Sequence, residues 1–336
     1  MVSPMSLLPY LHQVAARGDL SEQQACSSMW VLLDGEATAV EIAAFLTALK
    51  MKGETAAELA GLARGMRERM IRVDAGTDVV DICGTGGDGS GTFNISTTAA
   101  FVMAGAGAHV AKHGNRAISS ATGAADVLEA LGVNVTATAE DAARLIREVG
   151  IGFLFAPAFH PSVKHVQPVR RELKMRTVFN LLGPLANPAG ARRAVIGAPT
   201  VAAAELMAEA LRMLGTERVF VVHGHGGLDE VSTTGPTDVF EVAGDAITRR
   251  VWEPADFGVP QAEMSELLGG DAAHNAKLVR SILDGESGPR RDIVIANAAA
   301  GLLASGLAED LRAGVAMAEA SIDYGNARAK LEALLQ

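Results

Sequence analysis

Residues 79–112 read VVDICGTGGDGSGTFNISTTAAFVMAGAGAHVAK and run directly into HGNRAISS at 113–120. An apolar, strand-like run at 79–83 stops at a loop holding five glycines, Gly84, Gly86, Gly87, Gly89 and Gly91. Asn94, Ser96, Thr97 and Thr98 then open a long apolar helix. Glycines let backbone N–H groups converge and let a bulky anion approach, while a helix N-terminus adds unpaired donors and a favourable dipole. The stretch is therefore built as a phosphate site. One cap side chain serves a helix start, so one of Asn94, Ser96 and Thr97 is expected to be a cap. Lys112, His113, Asn115 and Arg116 follow at the end of the next apolar run, where a βαβ unit brings them beside the first loop.

Gly84, Gly86 and Gly89 satisfy the dinucleotide pattern GxGxxG, yet the context differs. A dinucleotide fold starts its helix inside the motif and places a carboxylate roughly 20 residues on for the ribose. Here the loop continues through Gly91, Thr92 and Phe93, and the later region presents Lys112 and His113. No Lys-Ser or Lys-Thr follows the glycines, which excludes a P-loop.

The chain has 336 residues, 49% of them hydrophobic, enough for a large domain or a large and a small one. A net charge of -10 argues against a general nucleic-acid surface, so anion binding must be local. Cys26 and Cys83 lack metal-ligand spacing and cannot form a disulfide framework, which suits a reducing cytoplasm. The N-terminus has no basic leader, and no uncharged apolar stretch is long enough for a membrane helix. We expect no membrane and no nucleic-acid partner.

Residues 1–72 read as successive amphipathic helices, with Ser21, Thr38 and Thr55 as starts and the last helix running over 56–70. From residue 77, short apolar runs alternate with helical ones, at 79–83, 108–111, 133–135, 152–155, 193–197 and 218–223. Such alternation predicts an α/β fold, a largely parallel central sheet flanked by helices, with a smaller all-helical domain. Residues 160–188 look helical and turn-like and are basic. Lys164, Arg170, Arg171, Lys174, Arg176, Arg192 and Arg193 face the single acid Glu172. From residue 275 onward the chain is mostly helical.

Asp229 and Glu230 sit in a loop beyond the strand at 218–223. Paired carboxylates on a loop can hold Mg²⁺ together with substrate phosphates; the pair could equally be a helix-cap Asp with an exposed Glu. Arg170 and Arg171 could decorate a helix face, or one of them could grip a planar carboxylate through a bidentate fork. His113, taken singly, is a structural or substrate-orienting group.

Together, GTGGDGSGTFNIST, KHGNRAISS, FAPAFHPSVKHVQPVRRELKMRTVFNLLGPLANP and VVHGHGGLDEVSTTGPT resemble the anthranilate phosphoribosyltransferases, in order along most of the chain. Pyrimidine nucleoside phosphorylases share the sugar-phosphate architecture and are the alternative, with a noncatalytic binding paralogue behind them. The resemblance implies a small helical domain at 1–72, with helices from about 160–190 packing on it. A hinge would join it to a large α/β domain at 73–159 and 191–336. It also implies a cytoplasmic homodimer dependent on Mg²⁺, with anthranilate and 5-phosphoribosyl 1-pyrophosphate as substrates. Carried over, the donor would meet Gly84, Gly87, Asp88, Thr92, Asn94, Ile95, Ser96, Thr97, Lys112, His113, Gly114, Asn115, Arg116, Ala117, Ile118, Ser119, Ser120 and Ala124. Anthranilate would meet Gly84, Asn115 and Arg170, and Ser96, Asp229 and Glu230 would hold Mg²⁺. No general base is assigned.

After the paired serines the family usually reads Lys-Ser-Gly-Ser, where this chain has Ala121, Thr122, Gly123 and Ala124. Ala124 cannot offer the hydroxyl that the family serine supplies to the donor. Ala124→Ser is therefore expected to lower the donor KM, by up to roughly tenfold if the new hydrogen bond contributes about 1 kcal/mol, with the acceptor KM nearly unchanged. Steady-state kinetics in both substrates check this; a flat or rising donor KM would show that the loop already meets the phosphate through other groups.

Overall fold

A computed structural model describes residues 6–117 and 122–336. The chain opens with four helices, α1 (Leu8–Ala15), α2 (Glu22–Asp34), α3 (Ala39–Lys52) and α4 (Ala56–Glu68). Ser21, Thr38 and Thr55 cap the last three, each in a reciprocal box with the Gln or Glu three residues on. Such boxes satisfy two orphan N–H groups at once. Glu58 does more than cap: its buried carboxylate also accepts from the Leu20 N–H at 2.9 Å and from Lys52 Nζ at 2.9 Å, tying α4 to the approach of α2 and the end of α3.

Seven strands follow: β1 (Val80–Gly84), β2 (Val110–Gly114), β3 (Ile151–Phe155), β4 (Arg193–Gly197), β5 (Arg218–Gly224), β6 (Thr237–Ala243) and β7 (Ala246–Trp252). They form one sheet in the order β3-β2-β1-β4-β5-β6-β7. The first five are parallel, and β6 and β7 add an antiparallel edge. From β1 the chain winds outward to β2 and β3, then returns to place β4 on the other side of β1. That reversal opens a crevice at the carboxyl ends of β1 and β4, where ligands of open α/β sheets bind. The glycine loop leaves β1 at this point, and helix α5 (Ile95–Gly105) follows it.

Alternation along β1, β4 and β5 sends side chains into two cores. Val80, Ile82, Val195, Phe220 and Val222 join α5 and the helix Pro289–Ser305 on one face. Cys83, Ala194, Ile196, Val219 and Val221 face the other way, into a core shared with α1–α4 and the helix Val201–Met213. Both faces are covered, as parallel sheets require. Val169 from the helix Gln167–Leu173 and Phe179, Leu182 and Leu185 from the helix Phe179–Leu185 enter the second core.

Two expectations need correction, and one element is missing from them. Residues 133–135 form no strand: Val133 and Val135 lie in the turn after a helix and are buried as lids on the first core, so their apolarity reflects packing alone. The hairpin of β6 and β7 was not foreseen, because β7 is largely exposed and carries Thr248, Arg249 and Arg250 where a core strand would be apolar. The helix expected over 56–70 stops at Glu68.

Gly84 and Gly197 are paired across β1 and β4, and the backbone of Asp229 lies directly over both. A Cβ on Gly197 would collide with the Asp229 carbonyl, and one on Gly84 with the Asp229 carboxylate. Gly197→Ala is expected to cost about 1–3 kcal/mol by overpacking, since the obstacle is backbone. Urea denaturation measures it, and an unchanged midpoint would show that the segment at 229 is free to retreat.

Candidate functional site

The segment bearing Asp229 and Glu230 lies against the glycine loop because Gly84 and Gly197 leave room for it. Asp229 Oδ2 accepts the Gly86 N–H at 2.7 Å, and Glu230 Oε1 accepts the Ser96 N–H, in the first turn of α5, at 3.2 Å. The two carboxylates thus occupy backbone donors of the kind that a glycine loop and a helix N-terminus offer to an anion. Gly86, Gly87, Gly89 and Gly91 all have positive φ, between 68° and 77°, so the loop path favours glycine at each. Asp88 adds a third carboxylate, whose Oδ2 lies 3.5 Å from the Asp229 N–H.

Crowding of these acids changes their chemistry. Burial, then the negative charge of Asp88, raises Asp229 to about 6. Glu230 keeps part of its surface open while its carboxylate sits deep; burial, then the Asp229 charge, raises it to about 8, against the opposing pull of Lys112. Lys112 lies within β2 and is buried, and its Nζ donates to the Ile82 carbonyl at 2.7 Å and to Ser96 Oγ at 3.3 Å. The cation therefore stands beneath the loop, next to the Ser96 hydroxyl and the Glu230 carboxylate.

Among the other expected positions, Asn94 sits at the N-cap of α5 without capping it. Its Nδ2 donates to the Thr122 carbonyl at 3.2 Å and its Oδ1 accepts from Asn275 at 3.0 Å, so it ties the glycine loop to the segment at 122 and to the first turn of the helix Ala272–Leu283. Ser96 accepts Lys112 rather than its own helix, and Thr97 is buried, so none of the three expected cap candidates is seen capping α5. Thr92 forms a bridge with Leu268 and is bonded to Ser90. Ile95 is core. Gly114 ends β2 against Phe153, and Asn115 is exposed, its Oδ1 accepting the Arg116 N–H. Arg116 is drawn elsewhere: it pairs with Asp126 and Glu129 and stacks over Phe155. Ala117 donates to Asp126, and Ala124 begins the helix Ala124–Leu131. Ile118, Ser119 and Ser120, with the departing Ala121, lie outside the described residues.

His113 is buried, with Nδ1 3.1 Å from the Gly183 carbonyl and its ring 5.1 Å from that of His160. Burial lowers His113 to about 3 and His160 to about 4, so both imidazoles are neutral near pH 7. The Nε2 atoms of both are buried without a partner among the described residues. Arg170 stacks over Phe179, 5.1 Å from the ring centroid, and donates to Gln167 at 3.2 Å. Burial lowers its pKa. Arg170 and the two histidines thus border the same helix, Phe179–Leu185.

Sequence reasoning missed four contributors. Asp81 is buried in β1 and accepts Asn187 Nδ2 at 2.8 Å and the His113 N–H at 3.2 Å. Burial raises its pKa, and the Lys112 charge opposes the rise. An acid inside VVDIC was the available signal, since a carboxylate in a buried strand requires partners. Asn187 itself, His160 and Arg176 complete the set; the last donates to the carbonyls of Gly87 and Gly86 at 2.7 and 3.0 Å.

Residues 76–328 match the glycosyl transferase family α/β domain, and residues 8–70 match the helical bundle domain of that family. The chain is 57% identical over 333 residues to the anthranilate phosphoribosyltransferase of Solibacter usitatus, covering 98% of each. It is 54% identical to that of Chloroflexus aggregans, again covering 98% of each. Among solved structures, the Thermus thermophilus anthranilate phosphoribosyltransferase aligns with a TM-score of 0.92 at 44% identity, covering 97% of this chain and 98% of that one. The Saccharomyces cerevisiae enzyme in complex with PRPP and Mg aligns at 0.89 and 31% identity, covering 98% and 96%. Identity above one half across nearly the whole length, with both domain families matched in order, shows that the chain belongs to the anthranilate phosphoribosyltransferase family.

Proposed function

We propose that this chain transfers the 5-phosphoribosyl group of 5-phosphoribosyl 1-pyrophosphate (PRPP) to the amine of anthranilate. The products are N-(5-phosphoribosyl)anthranilate and pyrophosphate, the second step from chorismate in tryptophan biosynthesis. The observation that carries it is the meeting of Asp229 and Glu230 with the amides of Gly86 and Ser96 at the mouth of the crevice. Carboxylates and anion-binding amides in one place suit a ligand that arrives as a metal-bound polyphosphate.

The donor set fits Mg²⁺. Ser96 Oγ, Asp229 and Glu230 are hard oxygen donors, and the raised carboxyl groups lack sufficient cationic compensation. Among the described residues no three His, Cys, Asp or Glu side chains form a complete metal cage, so substrate oxygens and water would supply the other ligands. Bound Mg²⁺ would neutralise charge growing on the departing pyrophosphate. As the bond from the anomeric carbon to the pyrophosphate oxygen breaks, the loop amides and Lys112 stabilise the same charge. On the acceptor side Arg170 would hold the anthranilate carboxylate and aim the amine nitrogen at that carbon, the nitrogen releasing a proton to water as the new C–N bond forms. Gly84, Gly87, Asp88, Thr92, Asn94 and the segment 112–124 belong to the donor side of this reading, Asn115 and Gly84 also to the acceptor side. Residues 1–72 with the helices of 160–190 would form the smaller unit, and 73–159 with 191–336 the larger. A cytoplasmic homodimer completes the proposal; no helix among the described residues is long and apolar enough to cross a membrane.

Incubation with anthranilate, PRPP and Mg²⁺ should extinguish anthranilate fluorescence, whereas phosphorolysis of a nucleoside without that loss would overturn the reading. Arg170→Ala is expected to lower acceptor efficiency roughly ten- to hundredfold, for a lost charge-assisted contact of about 1.5–3 kcal/mol, and to spare donor binding. Unchanged acceptor kinetics would move the role to Arg171 or another residue.

Without metal, folded Glu230 holds its proton up to about pH 8, while the unfolded chain releases it near 4.5. Between those values the folded state binds more protons, so this group's contribution makes stability fall as pH rises through the window. Glu230→Gln should flatten that slope in metal-free urea denaturation series and weaken the dependence of rate on Mg²⁺. Identical slopes and identical metal curves would make the residue purely structural.

A further inference from the structure

Arg176 carries a role that neither the sequence motifs nor the carboxylate cluster accounts for. It lies in the short connection between the helices Gln167–Leu173 and Phe179–Leu185. Both ends of that connection are pinned. Lys174 turns the chain with φ 47, a left-handed conformation that a non-glycine residue adopts at some cost. The Thr177 N–H donates to Asn180 Oδ1 at 3.0 Å, and the Asn180 N–H returns to the Thr177 carbonyl at 2.9 Å. From this fixed base Nη1 donates to the Gly87 carbonyl at 2.7 Å and Nη2 to the Gly86 carbonyl at 3.0 Å.

The consequence follows from peptide geometry. In a trans peptide the C=O and N–H of one unit point in opposite directions. Drawing the Gly86 and Gly87 carbonyls to one guanidinium therefore turns the N–H groups of Gly87 and Asp88 away from it. Both glycines have positive φ, 74 and 68, and neither carries a side chain to hold the loop in that path. The guanidinium fork supplies what the glycines lack. Its charge also favours the ionised form of Asp229.

We propose that Arg176 is a positioning residue that presets the glycine loop, aiming the Gly87 and Asp88 amides for the donor's phosphate groups by holding the two carbonyls behind them. The proposal rests on the reading of that loop as the PRPP site. Lysine cannot replace the fork, since a single ammonium lacks the planar pair of donors.

The test combines hydrogen exchange of amides 85–91 in the ligand-free protein with steady-state kinetics in both substrates, for Arg176→Ala and Arg176→Lys. Arg176→Ala is expected to speed exchange across the loop by about tenfold or more and to raise the donor KM by about tenfold, while the acceptor KM stays within about twofold. Arg176→Lys should fall between alanine and the wild type on both measures and keep the wild-type melting temperature. Wild-type exchange and donor KM in Arg176→Ala would overturn the proposal, as would a loss confined to kcat or to melting temperature in both variants. A wild-type protein inactive with PRPP and anthranilate would instead sink the transferase reading, and loop exchange would still decide whether Arg176 holds the loop.

Discussion

The close approach of the Asp229 backbone to the ends of β1 and β4 is the constraint on which the rest of the site depends. It requires strand ends with no Cβ at Gly84 and Gly197, and the pairing of these two residues across the sheet makes the gap wide enough. Once the segment is seated, Asp229 reaches the Gly86 amide and Glu230 reaches the first turn of α5. Parallel strands end together at one edge of the sheet, so these partners meet although they are distant in sequence. The same seating buries Asp229 and Glu230 and brings Asp88 close to Asp229, and that burial, reinforced by neighbouring negative charge, accounts for the raised proton affinity of the two carboxyl groups.

Beneath that edge, a polar layer inside the sheet fixes the positions of the groups above it. Asp81 accepts from Asn187 and from the His113 backbone, Asn187 also donates to the Ala111 carbonyl, and Lys112 reaches from β2 to the Ile82 carbonyl and the Ser96 hydroxyl. Buried polar groups of this kind are costly unless every member finds a partner, and a satisfied network holds one arrangement. Here the arrangement orients Ser96 from below and sets the strand that carries His113. The start of α5 and the strand that carries His113 therefore share a common support.

The basic stretch at 160–188 carries apolar side chains that belong to the core of the N-terminal helices. Val169, Phe179, Leu182 and Leu185 pack there, while Arg170 stacks on Phe179 and the Gly183 carbonyl meets His113. Arg176, from the same segment, grips the glycine loop. A basic segment in an acidic chain thus has a divided use, with its apolar residues anchoring one core and Arg176 bonded to the glycine loop.

The amino-acid sequence by itself determined the helical start, the α/β alternation and the glycine loop with its anion-binding logic, because capping boxes, apolar periodicity and glycine placement are local signals. Ser21, Thr38 and Thr55 cap the helices that their spacing predicts, and the run at 193–197 forms β4 without adjustment. Local signals misled where burial and pairing diverge, as at 133–135, apolar without being a strand, and at β7, a strand with an exposed polar face. Only the tertiary structure decided which polar residue meets which. Arg116 bonds to Asp126 and Glu129, Asn94 joins the segment at 122 and the helix Ala272–Leu283 instead of capping α5, and Asn187, His160 and Arg176 enter the site region from afar. Those choices depend on strand order and on which glycines let the backbone close in, and neither is a property of residues adjacent in sequence.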